Sequence, residues 1–98
     1  MDRNLAIKVN DNDNVATIFA QNTSDGSQIE VVDKKGQSEM LKVIGNIPYG
    51  HKIALSDIAP GAQILKYGES IGAASKAIKK GEYVHVHNLD SMRGRGDL

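Results

Sequence analysis

Asp57-Ile58-Ala59-Pro60-Gly61-Ala62-Gln63-Ile64 returns twenty residues later as Ala77-Ile78-Lys79-Lys80-Gly81-Glu82-Tyr83-Val84, and this echo decides the fold class. Each copy holds an Ile, a two-residue step, a Gly, two further residues and a β-branched residue. The pattern suits a turn between two short strands. Gly takes a backbone geometry that a Cβ opposes, and the flanking apolar residues point inward. The second copy runs into His85-Val86-His87-Asn88, and Gly50-His51-Lys52 precedes the first. All three histidines of the chain therefore belong to this unit.

Outward from the echo, the chain reads as short strands and turns. Leu5, Ile7 and Val9 alternate with polar neighbours, the mark of a half-buried strand over 4–9. Asn10-Asp11-Asn12-Asp13-Asn14 is an Asx-rich turn. It lacks the central Gly and the bidentate Glu of a calcium loop, whose twelfth position here is Gln21. Val15 to Phe19 fits a strand or a short helical turn. Gln28–Asp33 and Ser38–Ile44 read as a strand pair around the hairpin turn Lys34-Lys35-Gly36-Gln37. Gly45 to Gly50 is a tight connection, and Lys52 to Leu55 is again a strand. Glu69 to Ile78 has the spacing of a short helix, with Ile71, Ala74 and Ile78 on one side. Tyr83 to Leu89 alternates strictly, which predicts a strand with Tyr83, His85 and His87 on one face and Val84, Val86 and Asn88 on the other. The expectation is a mainly β single domain over 1–89 with one or two short helices, followed by a flexible tail over 90–98.

The composition sets bounds. At 98 residues there is room for one domain with one modest core. Twelve lysines and arginines balance twelve aspartates and glutamates, so the electrostatic footprint of a nucleic-acid or anionic-membrane binder is missing. Phe19, Tyr49, Tyr67 and Tyr83 are the whole aromatic complement, too sparse for a single-strand stacking platform. No apolar run approaches a membrane span. Met1 to Asn4 lead straight into a strand-like segment, which predicts no signal peptide and a cytoplasmic location. Without cysteine there is neither a disulfide framework nor thiolate chemistry. A chain this short seldom encloses a pocket for a polar small molecule, so any reaction site is expected to be completed by another subunit.

The residues with chemistry to offer are few. His85 and His87, at i and i+2 of a strand, would project from one face with Cα atoms roughly 6 to 7 Å apart. Two imidazoles so placed grip one metal ion, or one binds while the other moves a proton; they are also what an ordinary polar surface strand carries. His51 joins them if the two copies of the echo pair antiparallel. Lys52 and Lys66 suit a carboxylate or phosphate, or simply a solvated strand. Arg93 and Arg95, between Gly94 and Gly96, are carboxylate forks on a loose backbone, or an incidental tail. No Ser-His-Asp order and no phosphate-cradling Gly loop stands out.

Taken together, Gly50-His51-Lys52-Ile53-Ala54-Leu55, Asp57-Ile58-Ala59-Pro60-Gly61, Ile64-Leu65-Lys66-Tyr67-Gly68, Ile71-Gly72 and Ile78-Lys79-Lys80-Gly81-Glu82-Tyr83-Val84-His85-Val86-His87-Asn88-Leu89 resemble the SAF domain of the altronate dehydratase family. That family holds altronate and galactarate dehydratases and sulfolactate sulfo-lyase. Asn12-Asp13-Asn14-Val15-Ala16-Thr17 is similar to its opening, and Arg93-Gly94-Arg95-Gly96-Asp97 to the close of its stand-alone small subunits. The resemblance implies a β-clip fold with two pseudo-symmetric halves. It implies a lyase reaction in which a sugar acid loses water, or sulfolactate loses sulfite. The catalytic domain would come from a separate large subunit, and iron(II) or another divalent metal would sit at the shared site. On this reading His85, His87 and His51 are catalytic, His85 and His87 also hold the metal, and Lys52, Lys66, Asn88, Arg93 and Arg95 bind substrate. An isolated copy would form a homo-oligomer or stand inert. The alternatives are the alpha subunit of sulfolactate sulfo-lyase and a non-catalytic carbohydrate-binding module. An ice-binding relative would want a flat Thr-rich face, and the chain has only Thr17 and Thr23.

Overall fold

The computed structural model describes residues 5–21 and 23–91. These form nine strands: β1 (Leu5–Ile7), β2 (Val15–Ile18), β3 (Gln28–Val32), β4 (Ser38–Lys42), β5 (Lys52–Ala54), β6 (Gln63–Lys66), β7 (Glu69–Ala74), β8 (Tyr83–Val84) and β9 (Leu89–Ser91). A six-stranded sheet runs β4-β3-β1-β2-β5-β8, and a three-stranded sheet runs β6-β7-β9. Within the larger sheet β1 lies parallel to β3 and antiparallel to β2. The large sheet curls until Ile44, just past β4, bridges Glu82, just before β8. Among the described residues no helix is long and apolar enough to cross a membrane.

Two cores form because β2 and β5 have apolar residues on both faces. Ala16, Ile18 and Ile53 point into a first core with Ile29, Val31, Leu41 and Ile47. Val15 and Ala54 point the other way, into a second core with Ile58, Ile64, Ile78 and Val84. With a side-chain period of two, an uninterrupted buried run such as Val15-Ala16-Thr17-Ile18 is what a strand between two cores requires.

The echo occurs four times, not two. Thr23-Ser24-Asp25-Gly26, Ile47-Pro48-Tyr49-Gly50, Ile58-Ala59-Pro60-Gly61 and Ile78-Lys79-Lys80-Gly81 each make a turn and enter a strand. In each, the Gly stands at positive φ, at 84°, 83°, 84° and 92° in order. In each, the residue after Gly donates its N–H to the carbonyl three residues back, at 2.9 to 3.1 Å. This is the geometry of a turn whose third residue must be Gly. Each Gly N–H then donates across to another strand at 2.8 Å, Gly26 to Val43, Gly50 to Ile18, Gly61 to Ala74 and Gly81 to Ala54. The copies pair through antiparallel bridges, Thr23 with Ile47 and Ile58 with Ile78.

Two expectations are corrected. The helix expected over Glu69–Ile78 is strand β7 followed by the Ile78 turn, and the described residues contain no helix. The apparent helical spacing of Ile71, Ala74 and Ile78 came from adding a strand to a turn. Gly72, at φ 156°, is extended and buried, and its backbone pairs with Ile64 and Ser91. The strand expected over Tyr83–Leu89 is two short strands separated by a turn at 85–88. The second of these, β9, takes in Asp90 and Ser91, which the sequence assigned to the tail. Residues 92–98, with Arg93 and Arg95, lie outside the described residues.

One of the two acidic residues of the Asx-rich turn has a structural task. Asp13 is buried, and its carboxylate accepts N–H bonds from Asn10 at 3.0 Å, Tyr67 at 3.0 Å and Gly68 at 2.7 Å. Tyr67 and Gly68 form the two-residue turn between β6 and β7, both at positive φ. Tyr is a poor residue for that geometry, and the Asp13 bonds hold it there.

Candidate functional site

The three histidines come together, by a route different from the one the alternation suggested. His51 ends the turn Pro48-Tyr49-Gly50-His51, with its N–H bonded to Pro48 O at 3.1 Å, and leads into β5. β5 and β8 are antiparallel neighbours with Ile53 opposite Tyr83, so Tyr83 lands beside His51. Past β8 the chain turns sharply and folds His85 and His87 back over the same place. Ring centroids are 4.7 Å apart for His51 and His85, 5.7 Å for Tyr83 and His85, and 5.3 Å for Tyr83 and His87. The Tyr83 and His85 rings are nearly parallel at 12°. The Tyr83 hydroxyl is hydrogen-bonded to His51 Nδ1 at 2.8 Å. Tyr83, absent from the expected site residues, is thus the side chain that all three histidines touch. Its place on the predicted histidine face was the signal that could have marked it.

Asn88 is placed behind this cluster rather than in it. It is fully buried, its Oδ1 accepts the His85 N–H at 2.9 Å, and its Nδ2 donates to Tyr83 O at 2.8 Å. Its own N–H closes the turn onto His85 O at 3.0 Å. Expected as a substrate ligand, it is instead the pin of the turn that carries His85 and His87, because no polar atom of its side chain is left to face outward.

The surroundings are basic. Burial holds the half-buried Lys52 below the ordinary lysine pKa, and the positive charge of Lys66 adds to this. Partial burial lowers the pKa of His85, and repulsion of its charged form by Lys52, and by His51 and His87 when they are protonated, lowers it further. His85 is therefore neutral at pH 7 and able to accept a proton, while the lysines supply positive charge. Lys66 Nζ sits 4.9 Å from the centre of the Tyr67 ring. The apolar side chains Phe19 and Tyr49, edge to face at 5.9 Å, stand exposed next to the His51 turn, and Val86 is exposed between His85 and His87. A separate open groove of about 420 Å³, lined by Lys8, Asp33, Gln37, Glu39 and their neighbours, includes none of the expected site residues.

The fit to a metal is poor for this chain alone. Among the described residues no three His, Cys, Asp or Glu side chains are grouped to hold a cation. One nitrogen of His51 is already taken by Tyr83. A metal needs at least three protein ligands in a catalytic site of the usual kind, so most of them would have to come from elsewhere.

Comparison with known proteins gives the cluster its setting. The family model described as the altronate/galactarate dehydratase SAF domain matches residues 4–92. Altronate dehydratase of Escherichia coli K12 is 38% identical over 94% of the chain, which spans only 19% of that enzyme. Galactarate dehydratase (L-threo-forming) of the same organism is 42% identical over 80% of the chain, which spans 14% of it. The (2R)-sulfolactate sulfo-lyase subunit alpha of Paracoccus pantotrophus is 35% identical over 64% of the chain and is covered over 94% of its own length.

Proposed function

The chain belongs to the altronate/galactarate dehydratase SAF-domain family, and we propose that it serves as the small subunit of a sugar-acid dehydratase, lending side chains to a site on a larger catalytic chain. The observation that carries this reading is the joining of His51, His85 and His87 around Tyr83 on an open, basic face. Loss of water from a hydroxy acid needs three things: a base for the proton alpha to the carboxylate, positive charge to stabilise the enediolate, and a proton for the departing hydroxyl. Neutral His85 suits the first, and the imidazolium it becomes by taking that proton suits the last. Lys52 and Lys66 suit the carboxylate. The face is too open to exclude water, which is the contribution left to the larger chain. If the assembled enzyme takes a divalent metal such as iron(II), His85 and His87 would be at most minor ligands, and no step assigned to this chain passes through it.

The sulfo-lyase alternative rests on coverage. A domain of this size makes up nearly all of the Paracoccus subunit alpha, so in that relative it stands as a separate subunit. The two readings share the proton abstraction and differ in the leaving group.

The test is a turnover assay. This chain is mixed with the large chain of the same genome that carries the rest of a dehydratase, ferrous iron is added, and altronate, galactarate and sulfolactate are offered. Product only when both chains are present supports the reading, and the substrate consumed names the enzyme. His85→Ala is expected to lower turnover by about 100-fold. Equal turnover without this chain overturns the proposal.

A further inference from the structure

We infer that Tyr83 is a positioning residue that holds neutral His51 in the Nε2–H form, so that His51 offers the substrate a hydrogen-bond donor and proton acceptance falls to His85. This rests on the reading of the cluster as a reaction site, and it divides labour between His51 and His85, which the sequence placed together as catalytic without separate roles.

The geometry carries the division. A neutral imidazole has one N–H, and the partner of its other nitrogen decides which nitrogen holds it. His51 Nδ1 lies 2.8 Å from the Tyr83 hydroxyl. The phenolic proton is far more acidic than the N–H of a neutral imidazole, so the favoured arrangement has the hydroxyl donating to Nδ1 and the ring proton on Nε2. Tyr83 is itself held firmly. Its N–H donates to Ile44 O at 3.3 Å, its carbonyl accepts from Asn88 at 2.8 Å, and its ring packs against the first core. Backbone and ring are thus anchored on the side away from the hydroxyl, which lies at hydrogen-bonding distance from Nδ1.

His85 has the opposite setting. Its backbone is bonded to Asn88, but neither of its ring nitrogens has a hydrogen-bond partner among the described residues. One nitrogen of its neutral ring is always a free acceptor. The Tyr83 ring stacked on it and the His51 ring 4.7 Å away limit its motion without taking that lone pair. A fixed donor thus stands beside a free acceptor, the pairing that binds an oxygen of the substrate while a carbon-bound proton is removed.

The experiment is long-range proton–nitrogen NMR of the imidazoles in the nitrogen-15-labelled chain at about pH 8, where histidine is neutral. The expected spectrum shows His51 with Nε2 protonated and Nδ1 unprotonated and displaced toward lower shift by its hydrogen bond. In Tyr83→Phe, which keeps the ring and its stacking, the Nδ1 signal moves to the position of a free unprotonated nitrogen. A wild-type His51 protonated at Nδ1, or an Nδ1 shift unchanged in Tyr83→Phe, overturns the inference, and the wild-type spectrum decides even if the variant folds poorly. Turnover of the assembled enzyme separates the two claims. If the tautomer is as stated but His51→Ala and His85→Ala leave turnover unchanged, the site reading fails and the positioning stands as structure only. If turnover collapses in both but His51 is protonated at Nδ1, the site reading stands and the role given to Tyr83 fails.

Discussion

Gly61→Ala and Gly81→Ala make a controlled pair. The two glycines occupy the same place in the same turn, at φ 84° and 92°, and each donates its N–H across at 2.8 Å. They differ in what a Cβ would meet. At Gly61 nothing lies within 4 Å, whereas at Gly81 the carbonyl oxygen of Lys42 would be 2.1 Å away. The left-handed backbone costs Ala about 1–2 kcal/mol, offset by about 0.4–1 kcal/mol from the stiffer unfolded chain. Gly61→Ala should therefore lose about 1 kcal/mol. Gly81→Ala bears the same cost and must also move backbone against backbone. The bonds from Ile44 N to Gly81 O and from Gly81 N to Ala54 O, both 2.8 Å, lie where that movement falls. Losing them in a buried setting adds about 1–3 kcal/mol each, for a total of about 3–7 kcal/mol. In thermal unfolding Gly61→Ala should lower Tm by about 5 °C and Gly81→Ala by about 20 °C or to the point of not folding. Equal losses within about 1 kcal/mol would refute the claim that the closure of the sheet at Gly81 differs from an ordinary turn.

Three further outcomes follow from single side chains. Asp13→Ala removes the three N–H bonds that hold the Tyr67-Gly68 turn, and urea unfolding should show a loss of about 2–4 kcal/mol; a loss under about 0.5 kcal/mol contradicts the task given to Asp13. Asn88→Ala strands the His85 N–H and Tyr83 carbonyl and should cost a similar about 2–4 kcal/mol, with the His85 and His87 amide signals shifting more than those of β3 and β4. His85 should titrate by NMR below the ordinary 6.5, and Lys52→Met should raise its pKa by removing one of the positive charges that face it. The sign for stability follows. The unfolded chain takes up the proton first, so the contribution is whole above about pH 6.5 and is lost as pH falls toward the folded value. A His85 pKa at or above 6.5 contradicts the burial and charge placed around it.

Much of the fold was legible because strands and tight turns leave local marks. The strand at Leu5–Ile7, the hairpin at 34–37 and the Gly-centred echo all survive in the structure, although in that strand it is Ala6, not Leu5 and Ile7, that enters the core. Two of the four copies escaped reading because their starts are unevenly spaced. Thr23, Ile47, Ile58 and Ile78 share a Gly three residues on and a β-branched residue three further, but no constant period. The false helix over Glu69–Ile78 shows the limit of periodicity in a short segment, where a strand and a turn together imitate a helical face. The site was legible in its residue types and not in its geometry. An alternating run promised one strand, whereas the buried Asn88 folds that run into a turn. Whether an Asn faces out or ties its own backbone depends on burial that no pattern in the sequence expresses.

The repeated scaffold also explains why the chemistry gathers at one place. The four turns are alike in backbone, so what differs is the side chains just after each Gly. After Gly26 and Gly61 the chain has Ser27-Gln28 and Ala62-Gln63, whereas after Gly50 and Gly81 it has His51-Lys52 and Glu82-Tyr83. The first pair lead into β3 and β6, which lie in different sheets. The second pair lead into β5 and β8, which are direct neighbours with Lys52 opposite Val84 and Ile53 opposite Tyr83. Only there do two turn-exit segments meet side by side, and only there do both carry groups that bind or move protons. A pseudo-symmetric backbone with an asymmetric sequence thus gathers these side chains on one face rather than two. That face brings together His51, Tyr83, His85 and His87, while the groove beside Asp33 is lined by none of them.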